Sequence, residues 1–121
     1  MKFVVQEHFS RKHHFDFRLE MEGVAKSWAV PKGLPEKKGQ KRLAIAVENH
    51  DVSYMDFEGE IPEGLYGAGK VHIWDRGEYE LLKKSPNEIK VRLNGERLVG
   101  IYVLIKFPKR GENTWLILKV K

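Results

Sequence analysis

Hydrophobic and polar residues alternate along most of the chain, and no window of a dozen residues repeats its apolar positions every 3.6 residues. An alternation of period two is typical of a β-strand with one buried face, whereas a period of 3.6 would indicate a helix. The sequence therefore predicts a mostly β fold. In the segment from His14 to Met21, the side chains of Phe15, Phe17 and Leu19 would face the core together with that of Met21.

Turn residues divide the alternating segments into hairpins. Two strands are predicted to meet at Glu22–Gly23, and two more at Asp75–Gly77. A further pair would meet at Asn94–Gly95, which suits a type I′ turn with two positive-φ residues. The strand that starts at Thr114 completes a C-terminal meander. About eight short antiparallel strands favour a closed or nearly closed barrel forming a single domain over residues 1–121, because closure removes exposed strand edges.

Two segments rich in glycine and proline, 30–41 and 59–69, interrupt the alternation and are predicted to be long loops. The second segment is not a dinucleotide-binding fingerprint, because its glycines lack the required spacing and no strand–turn–helix unit surrounds them. Its glycines are expected to form tight turns. The prediction is thus a barrel with long loops and little helix.

Composition narrows the class of protein further. The chain is 41% hydrophobic and 32% charged, which is typical of a soluble globular domain. Its longest apolar run, 98–105, is far shorter than the roughly 20 residues of a membrane-spanning helix. No N-terminal stretch resembles a secretory signal, so a cytoplasmic protein without a membrane partner is expected. The absence of cysteine leaves only nitrogen and oxygen ligands for any metal.

The net charge is +5 and the isoelectric point is near 9.4. Such a charge weakly favours an anionic partner. Surface loops solvated by water account for basic residues equally well, since most Lys and Arg side chains lie at protein surfaces. Charge alone therefore does not decide the function.

The polar face of the strand that starts at His14 carries candidate chemistry. His14, Asp16 and Arg18 occupy alternate positions, so their side chains lie on one face, about 7 Å apart per pair. A histidine and an aspartate in this relation can converge on one cation. The forked donors of Arg18 could then clamp a phosphate on that cation. This combination predicts a phosphoryl site rather than a structural ion.

A metal site at His14 and Asp16 needs a third ligand, and three other imidazoles are candidates. His13 should point to the opposite face from His14, whereas His8 precedes the strand and can fold back, and His50 lies further along the chain. Any one of these histidines alone could be solvated polar surface. The shared phase of His14, Asp16 and Arg18 favours a functional site.

A second group of polar residues lies between residues 42 and 54. Arg42 opens an alternating strand, and His50 and Tyr54 follow at its end. His50 could donate to a phosphate oxygen or protonate a leaving group, because its ordinary pKa lies near neutrality. Tyr54 could add a neutral donor to developing charge. Taken singly, Arg42 is compatible with a surface charge and Tyr54 with packing, and His72 is expected to be an outward-facing polar residue.

Two long blocks of the sequence resemble the 3′-phosphoesterase domain of bacterial DNA ligase D and its free-standing relatives. They are FVVQEHFSRKHHFDFRLEMEGVAKSWAVPKGLP and ENHDVSYMDFEGEIPEGLYGAGKVHIWDRG. The resemblance implies that a catalytic divalent metal, usually manganese, binds His8, His14 and Asp16. It also implies that the scissile phosphate is engaged by four residues: Arg18, Arg42, His50 and Tyr54. The implied activity is removal of a 3′-terminal ribonucleoside by means of its 2′-hydroxyl, followed by hydrolysis of the resulting 3′-phosphate to a 3′-hydroxyl.

The resemblance implies DNA 3′ ends of primer-templates as the substrate. We expect a monomer, with any ligase or polymerase acting in trans. Phe15 and Asn49 stand where family members often carry tyrosine and aspartate, and neither change affects the ligand set. The chain begins close to the first block, whereas relatives commonly have an N-terminal arm that helps to bind the primer-template. The monoesterase step is expected to depend less on such an arm than the diesterase step.

Two other functions are compatible with parts of the pattern. His14 and Asp16 with a distal His50 imitate the two-histidine, one-carboxylate triad of non-haem iron oxygenases, although Arg18 and the basic charge argue against that function. A catalytically silent nucleic-acid-binding barrel is the other alternative. Its basic loops would hold phosphates, and its tryptophans would stack on bases. The tryptophans concerned are Trp28, Trp74 and Trp115.

Overall fold

The computed structural model describes every residue from Met1 to Lys121. It contains nine β-strands: β1 Lys2–Phe9, β2 His14–Met21, β3 Val24–Val30, β4 Lys41–His50, β5 Gly59–Ile61, β6 Gly69–Ser85, β7 Glu88–Asn94, β8 Val99–Lys106 and β9 Thr114–Lys119. Two 3₁₀ helices, Val52–Asp56 and Pro108–Arg110, lie between strands. No helix in the structure is both long and apolar enough to cross a bilayer.

The strands form one antiparallel sheet that closes on itself. Its order is β1-β2-β3-β4-β9-β8-β7-β6, and β6 pairs back with β1 to complete an eight-stranded barrel. The short strand β5 is a ninth strand, added to the N-terminal part of β6. The predicted mostly β barrel and the C-terminal meander of β7, β8 and β9 are thus confirmed.

Alternate residues of each strand fill the barrel. Phe17, Leu19 and Met21 of β2 are buried in the core, as their alternation predicts, and Trp28 of β3 packs between Phe17 and Trp115. Burial of each such side chain stabilises the fold by roughly 1.5–3 kcal/mol. This core fixes which face of β2 is left for Asp16 and its neighbours.

The predicted turn at Asp75–Gly77 is wrong, because β6 runs without interruption for 17 residues from Gly69 to Ser85. Asp75 does not turn its own chain. Its carboxylate instead accepts hydrogen bonds from the backbone N–H groups of a neighbouring loop, which begins after β7. Gly77 leaves room for that loop, since a β-carbon there would collide with the carbonyl of Asn94. The polar and small residues that are typical of turns therefore form a contact between β6 and the loop after β7.

The hairpin predicted at Asn94–Gly95 exists, but its type I′ turn does not. The loop contains four residues, 95–98, closed by a hydrogen bond from Gly95 N to Leu98 O of 2.9 Å. Neither Asn94 nor Gly95 has a positive φ. Gly95 is required for space instead, because a β-carbon would collide with the Asp75 carboxylate. The predicted hairpin at Glu22–Gly23 is confirmed, and these two residues do have positive φ values of 55° and 81°.

The two predicted loops are largely confirmed. Residues 31–40 connect β3 to β4 without a strand or helix, and Leu34 of this loop packs into the core. The segment 59–69 was expected to be loop throughout, but its first three residues pair with β6 as β5. Gly64 and Gly67 have φ values of 88° and 79°, as tight turns require.

Candidate metal centre and phosphate site

The pairing of β1 with β2 assembles the candidate metal centre. His8 lies opposite His14 in the register, and Gln6 lies opposite Asp16. The potential ligand atoms of His8, His14 and Asp16 all lie within 4.8 Å of one another. The sequence left the third ligand open between several histidines, and the strand register places His8 beside His14 and Asp16.

Backbone contacts fix which ring nitrogen of each histidine faces Asp16. His8 Nε2 lies 2.8 Å from the carbonyl oxygen of Gly67, and His14 Nδ1 lies 2.9 Å from that of Lys12. A carbonyl oxygen can only accept, so each of these ring nitrogens must donate its proton. When the rings are neutral, His8 Nδ1 and His14 Nε2 therefore carry no proton and each has a lone pair available to a cation. These nitrogens lie 3.7 and 3.3 Å from the Asp16 carboxylate. Backbone carbonyls fix metal-binding histidines in the same way.

The donor set fits a divalent cation. Two imidazole nitrogens and one carboxylate oxygen suit several first-row divalent metals. The separations of 3.7 Å from His8 Nδ1 and 3.3 Å from His14 Nε2 involve different oxygens of Asp16, and the potential ligand atoms lie within 4.8 Å of one another. Ligand atoms about 2.1 Å from one cation lie no more than about 4.2 Å apart, so the side chains would move slightly closer together when a cation binds. In the protein without metal, the hydrogen bond with Asp16 is the main cause that raises the pKa of His14, against the lowering effect of burial. Asp16 therefore favours a proton on the His14 ring, which would compete with a cation at this site.

Arg18 lies on the same face of β2 and is almost fully buried, with 3% of its surface exposed. Its Nη2 lies 3.6 Å from Asp16 Oδ2, and its guanidinium carbon lies 4.9 Å from the centre of the Tyr54 ring. Burial lowers the pKa of Arg18, but a guanidinium remains charged at neutral pH. A fixed positive charge therefore stands beside the candidate metal ligands.

Gln6 and Ser27 hold Arg18 in place, and the sequence analysis missed both. Arg18 Nε donates to Gln6 Oε1 at 2.6 Å, and Nη1 donates to Ser27 Oγ at 2.7 Å. Gln6 is fully buried and also donates to the carbonyl of Tyr54 at 2.8 Å, which ties the 3₁₀ helix to β1. The signal for Gln6 was present in the sequence, because it alternates with His8 on β1. No comparable signal marked Ser27.

The polar face is partly covered, although His14, His50 and Tyr54 keep some exposure to solvent. Met55 of the 3₁₀ helix packs with Val4 and Ala25 into a small second core on this side of the sheet. Asp16 is consequently only 8% exposed. The sequence predicted the face correctly but gave no sign of this second layer, which lowers the local polarity and strengthens electrostatic interactions at the site.

A β-bulge brings His50 to the site. The register between β3 and β4 shifts between Ala25 and Ser27, so that His50 stands opposite Ala25. Before the bulge, the even-numbered residues of β4, such as Ala44, face the core. After it, His50 lies on the other face, where its ring stacks on Tyr54 with centroids 4.7 Å apart. Bulges commonly redirect a side chain in this way.

The protonation states of His50 and Tyr54 follow from their surroundings. Burial is the main cause that lowers the pKa of His50, and the nearby Arg18 charge lowers it further. Burial likewise raises the pKa of Tyr54, against the opposing effect of Arg18. At neutral pH, His50 is therefore a neutral imidazole and Tyr54 a protonated phenol. Both can donate one neutral hydrogen bond to an anion beside Arg18.

No hydrogen bond or ion pair joins Arg42 to this group. Arg42 stands eight residues before His50 on β4, opposite Ile117, on the side of the strand that carries Ala44. Its guanidinium donates to the carbonyl of Lys41 at 3.2 Å. The role of Arg42 at the phosphate stays a prediction.

Three other expectations from the sequence meet a clear structural outcome. His50 lies outside the group of potential metal ligands, so the oxygenase-like triad of His14, Asp16 and His50 is wrong. Trp28 and Trp115 are buried at 0% and 6% exposure, so neither can stack on bases as the alternative of a nucleic-acid-binding barrel proposed, whereas Trp74, the third tryptophan of that alternative, is half-buried. His13 turns away from Asp16 and contacts Glu7, as predicted from its position beside His14.

The fold and the site together define a small antiparallel β-barrel with a candidate divalent-metal centre. The model of the DNA ligase D 3′-phosphoesterase domain family matches residues 6–106. The chain therefore belongs to the DNA ligase D 3′-phosphoesterase domain family.

Multifunctional end-joining proteins align with nearly the whole chain. The chain is 47% identical, over 98% of its length, to the multifunctional non-homologous end joining DNA repair protein LigD of Mycobacterium tuberculosis. It is 46% identical over 99% of its length to the multifunctional non-homologous end joining protein LigD of Mycolicibacterium smegmatis, and 44% identical over 100% to that of Pseudomonas aeruginosa. The chain spans only 16%, 17% and 15% of these three proteins, respectively.

Proposed function

We propose that this protein is a metal-dependent phosphoesterase that heals DNA 3′ ends. It removes a 3′-terminal ribonucleoside with the help of the 2′-hydroxyl, leaving a 3′-phosphate, and then hydrolyses that phosphate to a 3′-hydroxyl. The observation that carries this proposal is the convergence of two imidazole nitrogens and one carboxylate beside the buried Arg18. Membership of the 3′-phosphoesterase family supports the same function.

His8, His14 and Asp16 would hold the cation, for which we propose Mn²⁺ while other divalent metals fit the same ligands. When bound, the cation would neutralise phosphate charge as a Lewis acid. The chain's own contribution to the metal site is orientation. The carbonyls of Gly67 and Lys12 would hold both rings in the tautomers that metal binding requires.

Arg18 is proposed to stabilise negative charge on the phosphate oxygens in the transition state. Gln6 and Ser27 occupy its Nε and Nη1 donors, whereas its Nη2 faces the Asp16 side of the site. Because the guanidinium is already fixed and buried, little reorganisation is required when charge develops. Preorganised donors in a site of low polarity are the most effective electrostatic catalysts.

His50 and Tyr54, which stack on each other beside Arg18, are proposed to donate hydrogen bonds to the phosphate. The lowered pKa of His50 makes a neutral donor the better assignment than an acid that supplies a full proton. The raised pKa of Tyr54 keeps its hydroxyl proton available for the same purpose. Of the two roles that the sequence left open for His50, the structure favours the hydrogen bond to phosphate.

The substrate is proposed to be the 3′ end of a primer-template, whose healed 3′-hydroxyl a ligase or polymerase could then use. We further propose that the protein acts as a monomer with a single domain over residues 1–121, in the cytoplasm. The relatives are non-homologous end joining proteins, which supports a role in the repair of DNA ends.

The proposal is tested with end-labelled primer-templates that terminate in one ribonucleotide or in a 3′-phosphate. Each is incubated with manganese, with a chelator, and with the His14→Ala protein. The His72→Ala protein is the matched control, because His72 is exposed and lies outside the ligand group. We expect manganese-dependent conversion of both ends by the wild-type and His72→Ala proteins, and none by His14→Ala. Failure of the wild-type protein to convert either end would overturn the proposed function.

A further inference from the structure

The loop between β5 and β6, residues 62–68, exposes an aromatic side chain that has no role in the fold. Tyr66 is 96% exposed, the highest value among the large hydrophobic residues that reach the surface, and its neighbour Leu65 is 60% exposed. Tyrosine normally covers much of its ring with protein and leaves only the hydroxyl in water. A ring left bare in this way is available to a partner.

The same loop is anchored at the candidate metal centre. Gly67, the residue after Tyr66, accepts the hydrogen bond from His8 Nε2 at 2.8 Å. Consecutive α-carbons are about 3.8 Å apart. The α-carbon of Tyr66 is therefore this far from that of Gly67, which contacts the candidate metal ligand His8. Gly67 also has a φ of 79°, and a β-carbon there would touch His8 and Ile61. The turn that presents Tyr66 is therefore fixed relative to the site.

A basic turn lies beside this loop. The β1–β2 turn exposes Arg11 and Lys12, and it is packed against the start of β6 so closely that a β-carbon on Gly69 would collide with the carbonyl of Phe9. Lys12 also holds His14 through its own carbonyl. One acidic residue, Glu63, is exposed in the neighbouring loop. The metal centre is thus bordered by a bare aromatic ring on one loop and by two cations on the adjacent turn.

We propose that Tyr66 is a stacking platform for the base of the 3′-terminal nucleotide, while Arg11 and Lys12 attract the neighbouring backbone phosphates. This inference rests on the proposed function and extends it to substrate binding. Every base has a flat face that can stack on an aromatic ring, so such a contact positions a terminal nucleotide without reading its sequence. Positive charges complement a nucleic-acid backbone in the same sequence-independent way. An end-healing enzyme needs this tolerance, because it meets ends of any sequence.

The test compares Tyr66→Ala with Tyr66→Phe, which keeps the ring and removes only the hydroxyl. Two 3′-phosphate primer-templates are used, one with a normal terminal nucleotide and one with a stable abasic tetrahydrofuran residue in its place. We expect Tyr66→Ala to raise KM about tenfold on the normal end, with kcat within about twofold, as loss of one stacked base implies. KM on the abasic end should not change. Tyr66→Phe should behave as wild type on both ends.

A second readout does not depend on turnover. A primer-template with 2-aminopurine as its 3′-terminal base is titrated with protein in the presence of chelator. Stacking on Tyr66 should quench the fluorescence in the wild-type and Tyr66→Phe proteins and leave it unchanged in Tyr66→Ala. Equal losses for the normal and abasic ends, or equal quenching by Tyr66→Ala and wild type, would overturn the inference. A wild-type protein that quenches but converts no 3′ end would instead reject the proposed function and retain the stacking site.

Discussion

Two aspartates are buried in this barrel to a similar degree, but their surroundings differ. Asp75 is 4% exposed and accepts hydrogen bonds from the backbone N–H groups of Glu96, Arg97 and Leu98 at 2.8–3.2 Å. Asp16 is 8% exposed, and its nearest charged or imidazole partners are side-chain nitrogens 3.3–3.7 Å away. Charge-assisted hydrogen bonds are shorter, near 2.7–2.9 Å. Asp75 is therefore satisfied by the fold, whereas Asp16 is surrounded by groups that could converge with it on a cation.

The largest effect is expected from Asp16→Asn, which removes the charge but keeps the shape. Turnover of a 3′-phosphate end should fall about a thousandfold, the order of magnitude seen when a preorganised electrostatic group is lost. The increase in melting temperature on addition of manganese should disappear as well, because a ligand stabilises only a fold that binds it. Kinetics and thermal unfolding with and without metal measure both effects. If Asp16→Asn turned over at the wild-type rate, Asp16 would not be an essential ligand, and the proposed difference between the two aspartates would be wrong.

Asp75→Ala should have the opposite profile. Three backbone donors in the 95–98 loop would lose their acceptor, so the free energy of unfolding should fall by about 3 kcal/mol. The kcat per folded molecule should stay at the wild-type value. Urea denaturation with activity measured on the folded fraction separates the two quantities. Glu78→Ala, an exposed acid on the same strand, is the matched control and should change neither. Loss of kcat in stable Asp75→Ala protein would show that Asp75 also serves the site.

Ser27→Ala should have a smaller effect on stability and turnover, because it loosens the position of Arg18. The Arg18 Nη1 donor loses its acceptor at 2.7 Å, and hydrogen bonds to charged groups contribute about 1.5 kcal/mol or more. We expect a loss of about this size in stability and a severalfold fall in kcat, because the guanidinium is less well held. Manganese affinity should not change. Ser53→Ala, at an exposed serine of the 3₁₀ helix, is the control. A selective loss of manganese affinity in Ser27→Ala would contradict this assignment.

The smallest expected effect is a difference between the pKa values of His14 and His50, which histidine titration should reveal. In metal-free protein, the hydrogen bond with Asp16 raises the pKa of His14 above 6.5, and burial lowers that of His50 below it. The stabilising contribution of His14 is thus present at low pH and is lost as pH rises through its raised pKa. That of His50 is present above pH 6.5 and is lost as pH falls through its lowered pKa. Two-dimensional NMR of the imidazole resonances measures both midpoints, and the reverse order would refute these electrostatics.

The sequence predicted the barrel because alternation is a local signal, and β2 shows it plainly. It also placed His14, Asp16 and Arg18 on one face, since strand geometry alone determines that relation. It could not predict the β4 bulge that redirects His50, or the loop that Asp75 holds, because both depend on contacts between distant segments. The same limit explains the wrong turn at Asp75–Gly77. Residues typical of turns identify positions with unusual backbone packing or hydrogen bonding, but they do not show which segment of the chain makes the contact.

The central claim is that His8, His14 and Asp16 bind one divalent cation. Electron spin echo spectroscopy of the protein with one equivalent of Mn²⁺ tests it most directly, because nitrogen nuclei bound to manganese modulate the echo. We expect one tightly bound Mn²⁺ per chain with two coupled imidazole nitrogens, reduced to one by His8→Ala and unchanged by His72→Ala. Manganese without nitrogen coupling, or with the same coupling after loss of His8, would contradict it.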